Sequence, residues 1–168
     1  MQGRLVKLLS ELSDFEKSNY LEKSIDQWPK MINSSLELTY VLNQLNEKQS
    51  GFVLDILDEK LIFLIKTARD LWCILEEISY EQNDIVLEAI MFKLPQLIKT
   101  YHALKNILKE LNEQQCYDVL TALGIDRIIT LIQSESRLKR LTNSLNEKQA
   151  SVLIKKITCN DKLQSLEK

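Results

Sequence analysis

Glycine and proline are scarce in this sequence, which holds 3 glycines and 2 prolines among 168 residues. Average proteins contain about 12% of these two residue types together. β-Sandwiches, barrels and propellers need a turn roughly every 8–12 residues, so the shortage of turn-forming residues argues against them. The chain is instead rich in leucine and isoleucine, with 30 and 17 copies, which excludes wholesale disorder and favours helices joined by tight connections.

An excess of positive charge is also missing. Lys and Arg total 22 against 24 Asp and Glu, which gives a net charge of −2. Nucleic-acid binders usually carry a basic excess that neutralises phosphates, so we expect no nucleic-acid partner. No apolar stretch approaches the roughly 20 residues that span a bilayer, and the N-terminus lacks the apolar core of a signal peptide. We therefore expect no membrane span.

Residues with catalytic or metal-binding chemistry are few. The three cysteines, Cys73, Cys116 and Cys159, are too few and odd in number for a disulfide framework, which indicates a reducing cytosol. That cytosol is the producing cell's or, after secretion, a host's. With His102 as the single histidine and no Walker loop or GxGxxG motif, the sequence predicts no cofactor, no metal and no enzyme. The alternative is a cysteine nucleophile paired with His102, although Cys116 lies on an apolar helix face and is predicted to be a packed thiol.

The strongest feature of the sequence is an internal repeat. Leu-Asn-Glu-Lys-Gln at 45–49 recurs at 145–149, and three related segments end at positions 16, 82 and 115. The five segments therefore recur with an almost fixed period, about 33 residues, which is typical of repeat proteins. Ser or Asn followed three residues later by Glu or Gln is a capping-box pattern, which starts a helix. The predicted N-caps are Ser13, Asn46, Ser79, Asn112 and Asn146.

Each box is followed by two apolar patterns. The first predicts a helix A of about 11 residues, and the second predicts a helix B of about 19 residues, roughly 28 Å long. Pro29 and Pro95 fall in the first turn of helix B, where a missing amide is harmless, and Asp26 and Asp126 are predicted N-caps. Gly124 is predicted to end helix A of the fourth unit in a left-handed conformation.

The second helix B is predicted to be continuous, because Leu61, Ala68 and Leu75 are evenly spaced on one face. The sequence therefore predicts an all-α fold of tandem 33–34-residue helix-turn-helix repeats, forming a small α-solenoid or stacked helical-hairpin array. The alternative is a compact helical bundle. The predicted organisation is one domain, 1–168, with units at 13–45, 46–78, 79–111 and 112–145 and partial units at 1–12 and 146–168. The segment 160–167 is predicted to begin a further helix B.

The repeated boxes, together with Leu-Ile-Lys-Thr at 64–67 and 97–100, resemble the α-helical repeat effector proteins that Legionella-type intracellular bacteria inject into host cells. The resemblance is one of style and covers most of the chain. It implies that the protein acts by binding a host or bacterial protein. It assigns no catalytic residue.

Aromatic side chains at repeat positions that are polar in most other units are the candidate partner-binding residues. Phe63, Phe15 and Tyr117 fall at such positions, and Trp72 is predicted at a groove edge. Aromatic residues concentrate binding energy at interfaces. Trp28 aligns with apolar residues of the other units and is predicted to be core.

The predicted function is a non-catalytic protein–protein interaction module, acting as an adaptor, an inhibitor or a bacterial effector along a helical-repeat face. The alternatives are a Cys/His-dependent enzyme and a self-assembling structural array. The partner's identity and the oligomeric state do not follow from the sequence.

Overall fold

Helices account for all the regular secondary structure that the computed structural model describes, which covers residues 2–158. This confirms the predicted all-α class. The chain divides into two compact units, Met1–Ile90 and Met91–Lys168. The repeat organisation within one domain, as a solenoid or a bundle, stays a prediction.

The N-terminal unit holds a long helix, α5, and several shorter ones, with a 3-10 turn at Ile25–Gln27. Its helices are α1 (Gln2–Glu11), α2 (Asp14–Lys23), α3 (Trp28–Met31), α4 (Ser35–Leu42), α5 (Glu47–Leu64), α6 (Ala68–Leu75) and α7 (Tyr80–Ile90).

The C-terminal unit opens with a 3-10 turn at Met91–Lys93. Its described helices are α8 (Leu94–Leu97), α9 (Tyr101–Lys109), α10 (Glu113–Leu123), α11 (Ile125–Ile132), α12 (Glu135–Thr142) and α13 (Glu147–Thr158). The predicted start of a further helix B at 160–167 lies outside the described residues.

The five predicted helix starts are confirmed, since α2, α5, α7, α10 and α13 each begin one residue after a predicted cap. Reciprocal capping boxes form at Ser13, Asn46, Asn112 and Asn146. The Ser79 box is half-formed. The Gln82 side chain accepts a hydrogen bond from the Ser79 N–H, whereas the buried Ser79 hydroxyl has no hydrogen-bond partner among the described residues.

The prediction of a continuous helix B is wrong. In the second predicted repeat unit, 46–78, α5 ends at Leu64 and Ile65 is extended with φ −85° and ψ 99°. The next helix, α6, begins after Thr67. The Thr67 hydroxyl accepts from the Asp70 N–H, and a side chain that bonds its own backbone in this way competes with helix continuation. The evenly spaced apolar residues of this segment therefore belong to two helices.

The same kind of cap opens the last helix in each of the four predicted repeat units. Each is a Ser or Thr in extended conformation whose side chain accepts from an amide of the first turn. These caps are Ser34, Thr67, Thr100 and Ser134. Each predicted helix B is consequently divided by a break.

The start of each predicted helix B also differs from the prediction. Asp26 and Asp126 are not N-caps, because Asp26 lies inside a 3-10 turn and Asp126 in the first turn of α11. Pro29 and Pro95 do occupy the first turns of α3 and α8. Gly124 ends α10 with a positive φ of 76°, as expected, although its ψ of 152° lies outside the left-handed helical region.

The core of each unit follows the repeat. Trp28 and Leu61 are fully buried in the N-terminal unit, and Leu94 and Ile128 are fully buried in the C-terminal unit. These four residues recur with the period of the boxes, so the same position of the repeat is apolar and buried each time. The predicted core position of Trp28 is confirmed, and the Tyr20 ring packs edge-on against it with 6.3 Å between centroids.

Candidate binding site

Three of the four predicted contact residues are largely exposed. Phe15 is 78% exposed in the first turn of α2, and Phe63 is 71% exposed in the last turn of α5. Tyr117 on α10 is 50% exposed, and Trp72 on α6 is half-buried. These side chains are available to a partner, while their use by one stays a prediction.

The end of α5 separates a packed face from an open face within two residues. Leu64 is 4% exposed and Leu61 is fully buried, so both belong to the core. Phe63 lies between them in sequence, yet most of its ring contacts solvent. Its equivalent in the first unit, one repeat earlier, is Lys30. A hydrophobic ring therefore lies where the first repeat unit has a long charged side chain.

The four candidates do not share one described cavity. Phe15, Phe63 and Trp72 belong to the N-terminal unit and Tyr117 to the C-terminal unit. Tyr117 has an ammonium partner, since Lys156 Nζ lies 4.7 Å from its ring centroid.

Sequence reasoning missed three further exposed aromatic residues. Comparison of equivalent positions could have found all three, because Tyr80 and Phe92 occupy positions that are Asp or Glu in the other repeat units, and Tyr40 occupies one that is Cys, Asn or Arg. The missed residues are Tyr40 at 51%, Tyr80 at 50% and Phe92 at 66% exposure.

A groove of about 490 Å³ opens in the N-terminal unit beside the break between α3 and α4. Its walls include the apolar side chains of Leu5 and Leu8 from α1 and Met31 from α3, with Tyr40 of α4. This lining can accept apolar side chains from another molecule. Three charged residues also line it: Arg4, Lys30 and Glu37.

The candidate thiol–histidine chemistry is not assembled around Cys116. Its Sγ is buried and donates to a backbone oxygen of α9 at 3.5 Å. Burial raises the pKa of the Cys116 thiol to about 12, so little of it is thiolate at neutral pH. The packed-thiol prediction is confirmed. His102 is exposed in the first turn of α9 and packs edge-on against Tyr101; Cys73 is half-buried, and Cys159 lies outside the described residues.

The described residues provide neither a metal site nor a membrane-spanning helix. Across residues 2–158, no group of three His, Cys, Asp or Glu side chains is placed to hold a metal ion. None of the described helices combines the length and hydrophobicity needed to cross a bilayer. No protein family, curated protein or solved structure matches this chain.

Proposed function

We propose that this chain is a non-catalytic module that binds another protein. The observation that supports the proposal best is the exposure of Phe63. Its ring is 71% exposed, although the adjacent Leu64 is packed into the core at 4%. A large apolar side chain in solvent contributes little to folding, whereas in an interface it provides a rigid anchor.

Two more aromatic residues extend the candidate surface. Phe15 is exposed at the start of α2, and Tyr117 is exposed on α10 beneath the Lys156 ammonium. A cation over an aromatic face stabilises that arrangement by roughly 0.5–1 kcal/mol at exposed sites. Each unit therefore presents aromatic surface that a partner can bury.

The groove of the N-terminal unit provides a second kind of contact. An amphipathic helix or peptide is bound when its apolar side chains enter such a groove. Leu5, Leu8 and Met31 would receive those side chains. The partner's polar face would meet the charged residues Lys30 and Glu37, which line the same groove.

The kind of partner follows from the resemblance to bacterial effectors. That resemblance implies a host or bacterial protein as the partner, a role as an adaptor, an inhibitor or an effector, and action in a cytosol, including a host's after secretion. The reducing environment predicted from the cysteine content agrees with that location.

Affinity purification with matched variants tests the proposal. The full chain, Phe63→Ala and a Phe15→Ala/Tyr117→Ala double variant would each be used to capture proteins from bacterial and eukaryotic lysates. We expect at least one protein that is retained by wild type and lost by a variant that is as stable as wild type. If all three chains retain the same proteins in the same amounts, the aromatic surface is not the binding site. Sedimentation of the purified chain at several concentrations separates partner binding from self-assembly.

A further inference from the structure

A second pocket, of about 390 Å³, lies in the C-terminal unit at the break between α8 and α9. Three cationic side chains line it: Lys99, Arg127 and Arg137. Thr100 and Thr130 line it as well, and the Thr130 hydroxyl donates to the Asp126 backbone oxygen at 2.7 Å. No Asp or Glu is among its described lining residues, so its chemistry is that of hydrogen-bond donors and positive charge.

Among the described residues, these three cations have no carboxylate counter-charge. Within the part of the chain that the structure describes, neither Lys99, Arg127 nor Arg137 forms an ion pair with a carboxylate. The nearest acids along the chain, Asp126 and Glu135, do not line the pocket. Like charges that share a pocket repel one another, and a bound anion removes that repulsion.

The equivalent helix starts of the N-terminal unit show what this pocket lacks. There an acidic residue at the third position of the helix binds the backbone amides of the break. The Asp70 carboxylate accepts from the N–H groups of Lys66 at 3.1 Å and Thr67 at 2.8 Å. Glu37 accepts from the Asn33 N–H at 2.7 Å.

In α9 the residue at this position is Ala103, which has no carboxylate. The amide groups equivalent to those that Asp70 binds belong to Lys99 and Thr100, and both residues line the pocket. The described part of the chain thus has no carboxylate at the place where three cations meet. A bound oxyanion would occupy the position that a carboxylate occupies in α6, at the N-terminal end of a nine-residue helix.

The two arginines are held in place before any ligand binds. The Arg137 guanidinium donates to the Gln133 side chain and lies 5.8 Å from the Tyr101 ring centroid. Arg127 donates from Nη2 to the Ile98 backbone oxygen at 3.3 Å, and its Nε is buried without a hydrogen-bond partner among the described residues. Pre-positioned arginines bind tetrahedral oxyanions without a large loss of side-chain entropy.

A second helix break also lines the pocket. Gln133, which lines it, has a φ of 65°. This left-handed conformation is the C-cap of α11, which ends the helix there. Gln133 lies at the break between α11 and α12, so residues of two successive breaks line one pocket.

We propose that this pocket binds a phosphate monoester group. Such a group carries close to two negative charges at neutral pH and three terminal oxygens. That matches three cations together with the backbone N–H groups of Lys99 and Thr100 better than a singly charged carboxylate does. The group is carried either by a phosphorylated protein side chain or by a small phosphate ester. The inference does not depend on the aromatic binding surface.

Titration of the full chain with inorganic phosphate at constant ionic strength tests the site. Amide chemical shifts would be followed by NMR in wild type, Ala103→Asp, Arg127→Gln and Arg140→Gln. Ala103→Asp supplies the internal carboxylate that Asp70 provides in α6, so we expect it to fold like wild type. Arg140 is exposed on α12 and does not line the pocket, so its variant removes the same charge elsewhere.

We expect saturable shifts at residues 99–102 and 127–137 in wild type. The affinity should fall about tenfold or more in both Ala103→Asp and Arg127→Gln. The new carboxylate of Ala103→Asp occupies the backbone N–H groups and repels the phosphate, and Arg127→Gln removes a charged hydrogen-bond donor. Arg140→Gln should change it by less than about twofold, since exposed charges are screened. The proposal is overturned if wild type shows no saturable shift, or if a folded Ala103→Asp variant binds phosphate like wild type.

A peptide with one phosphoserine, compared with its unphosphorylated form, distinguishes the sources of the group. Binding tighter than that of inorganic phosphate favours a phosphorylated protein as the source, because the peptide then adds contacts, and binding no tighter favours a small phosphate ester. Both results support the site. Equal binding of the phosphorylated and unphosphorylated peptides contradicts it.

Discussion

The Gln49 side chain joins two helices that lie one repeat apart in sequence. Its Nε2 donates to the backbone oxygen of Asp14 at 2.8 Å, while its Oε1 accepts from the Asn46 N–H at 3.2 Å. One buried amide thus caps α5 and ties it to the first residue of α2. Gln82 makes the same link from α7 to the backbone oxygen of Glu47. In these two boxes the glutamine therefore joins the helices of neighbouring boxes and also caps its own helix.

Replacing Gln49 with Glu separates these two roles. A carboxylate still accepts from the Asn46 N–H, but it cannot donate to Asp14 and places a buried negative charge against a carbonyl oxygen. We expect Gln49→Glu to lower the free energy of unfolding by about 1–3 kcal/mol in urea denaturation at neutral pH. Glu16→Gln, at the exposed first box, is the reverse change and should leave the midpoint nearly unchanged. Equal midpoints for Gln49→Glu and wild type would show that the link to Asp14 does not stabilise the fold.

The break before α6 depends on the Thr67 hydroxyl. Thr67→Ala removes the acceptor for the Asp70 N–H, which lies 3.1 Å away. Loss of such a cap costs about 0.5–2 kcal/mol. Thr67→Ser keeps the hydroxyl and is the matched control. The midpoint temperature of thermal denaturation should be clearly lower for Thr67→Ala than for Thr67→Ser. Coincident curves would mean that this cap does not stabilise the fold.

Asp70 gives the same region a dependence on pH. Burial alone would raise the pKa of Asp70, but hydrogen bonds from the Ser35 and Thr67 side chains and the Lys66 N–H outweigh burial and hold the pKa below its usual value. The carboxylate therefore stabilises the fold at pH values above its unfolded pKa of about 4. This stabilisation is lost as the pH falls through the lower pKa of the folded state.

Urea denaturation of wild type and Asp70→Asn from neutral to acidic pH checks this sign. The difference in unfolding free energy should be largest near neutrality and should shrink below about pH 4. Asp55→Asn, at an exposed position on α5, controls for the loss of one surface charge. The account is wrong if Asp70→Asn differs from wild type no more than Asp55→Asn does, or if the difference grows in acid.

The helix starts and the core were predictable because local chemistry specifies them. A box such as Asn46 with Gln49 satisfies the first amides of a helix whatever surrounds it. The breaks were missed because apolar spacing continues across them, with Leu64 and Leu71 buried on either side. Periodicity reports which residues face the core and does not show whether the backbone between them is continuous. The hydroxyl of Thr67 carried that information.

The candidate sites divide in the same way. Comparison of equivalent positions was enough to predict the exposure of Phe63, since one residue and its phase decide it. The pocket at α9 could not be predicted, because it brings together residues from separate segments, such as Thr100 and Arg137. The sequence does show one relevant difference, because Ala103 occupies the position of Glu37 and Asp70 in the N-terminal unit.

We propose that exposed aromatic residues serve binding and not folding, and the pair Phe63→Ala and Leu64→Ala tests this most directly. The measurement is the affinity of each variant for the captured partner alongside its unfolding free energy. Leu64→Ala should lose about 2–5 kcal/mol of stability. Phe63→Ala should lose less than about 0.5 kcal/mol of stability, yet about 2 kcal/mol of binding energy, or roughly thirtyfold in affinity. A Phe63→Ala variant that is as stable as wild type and binds the partner at full affinity would contradict the account.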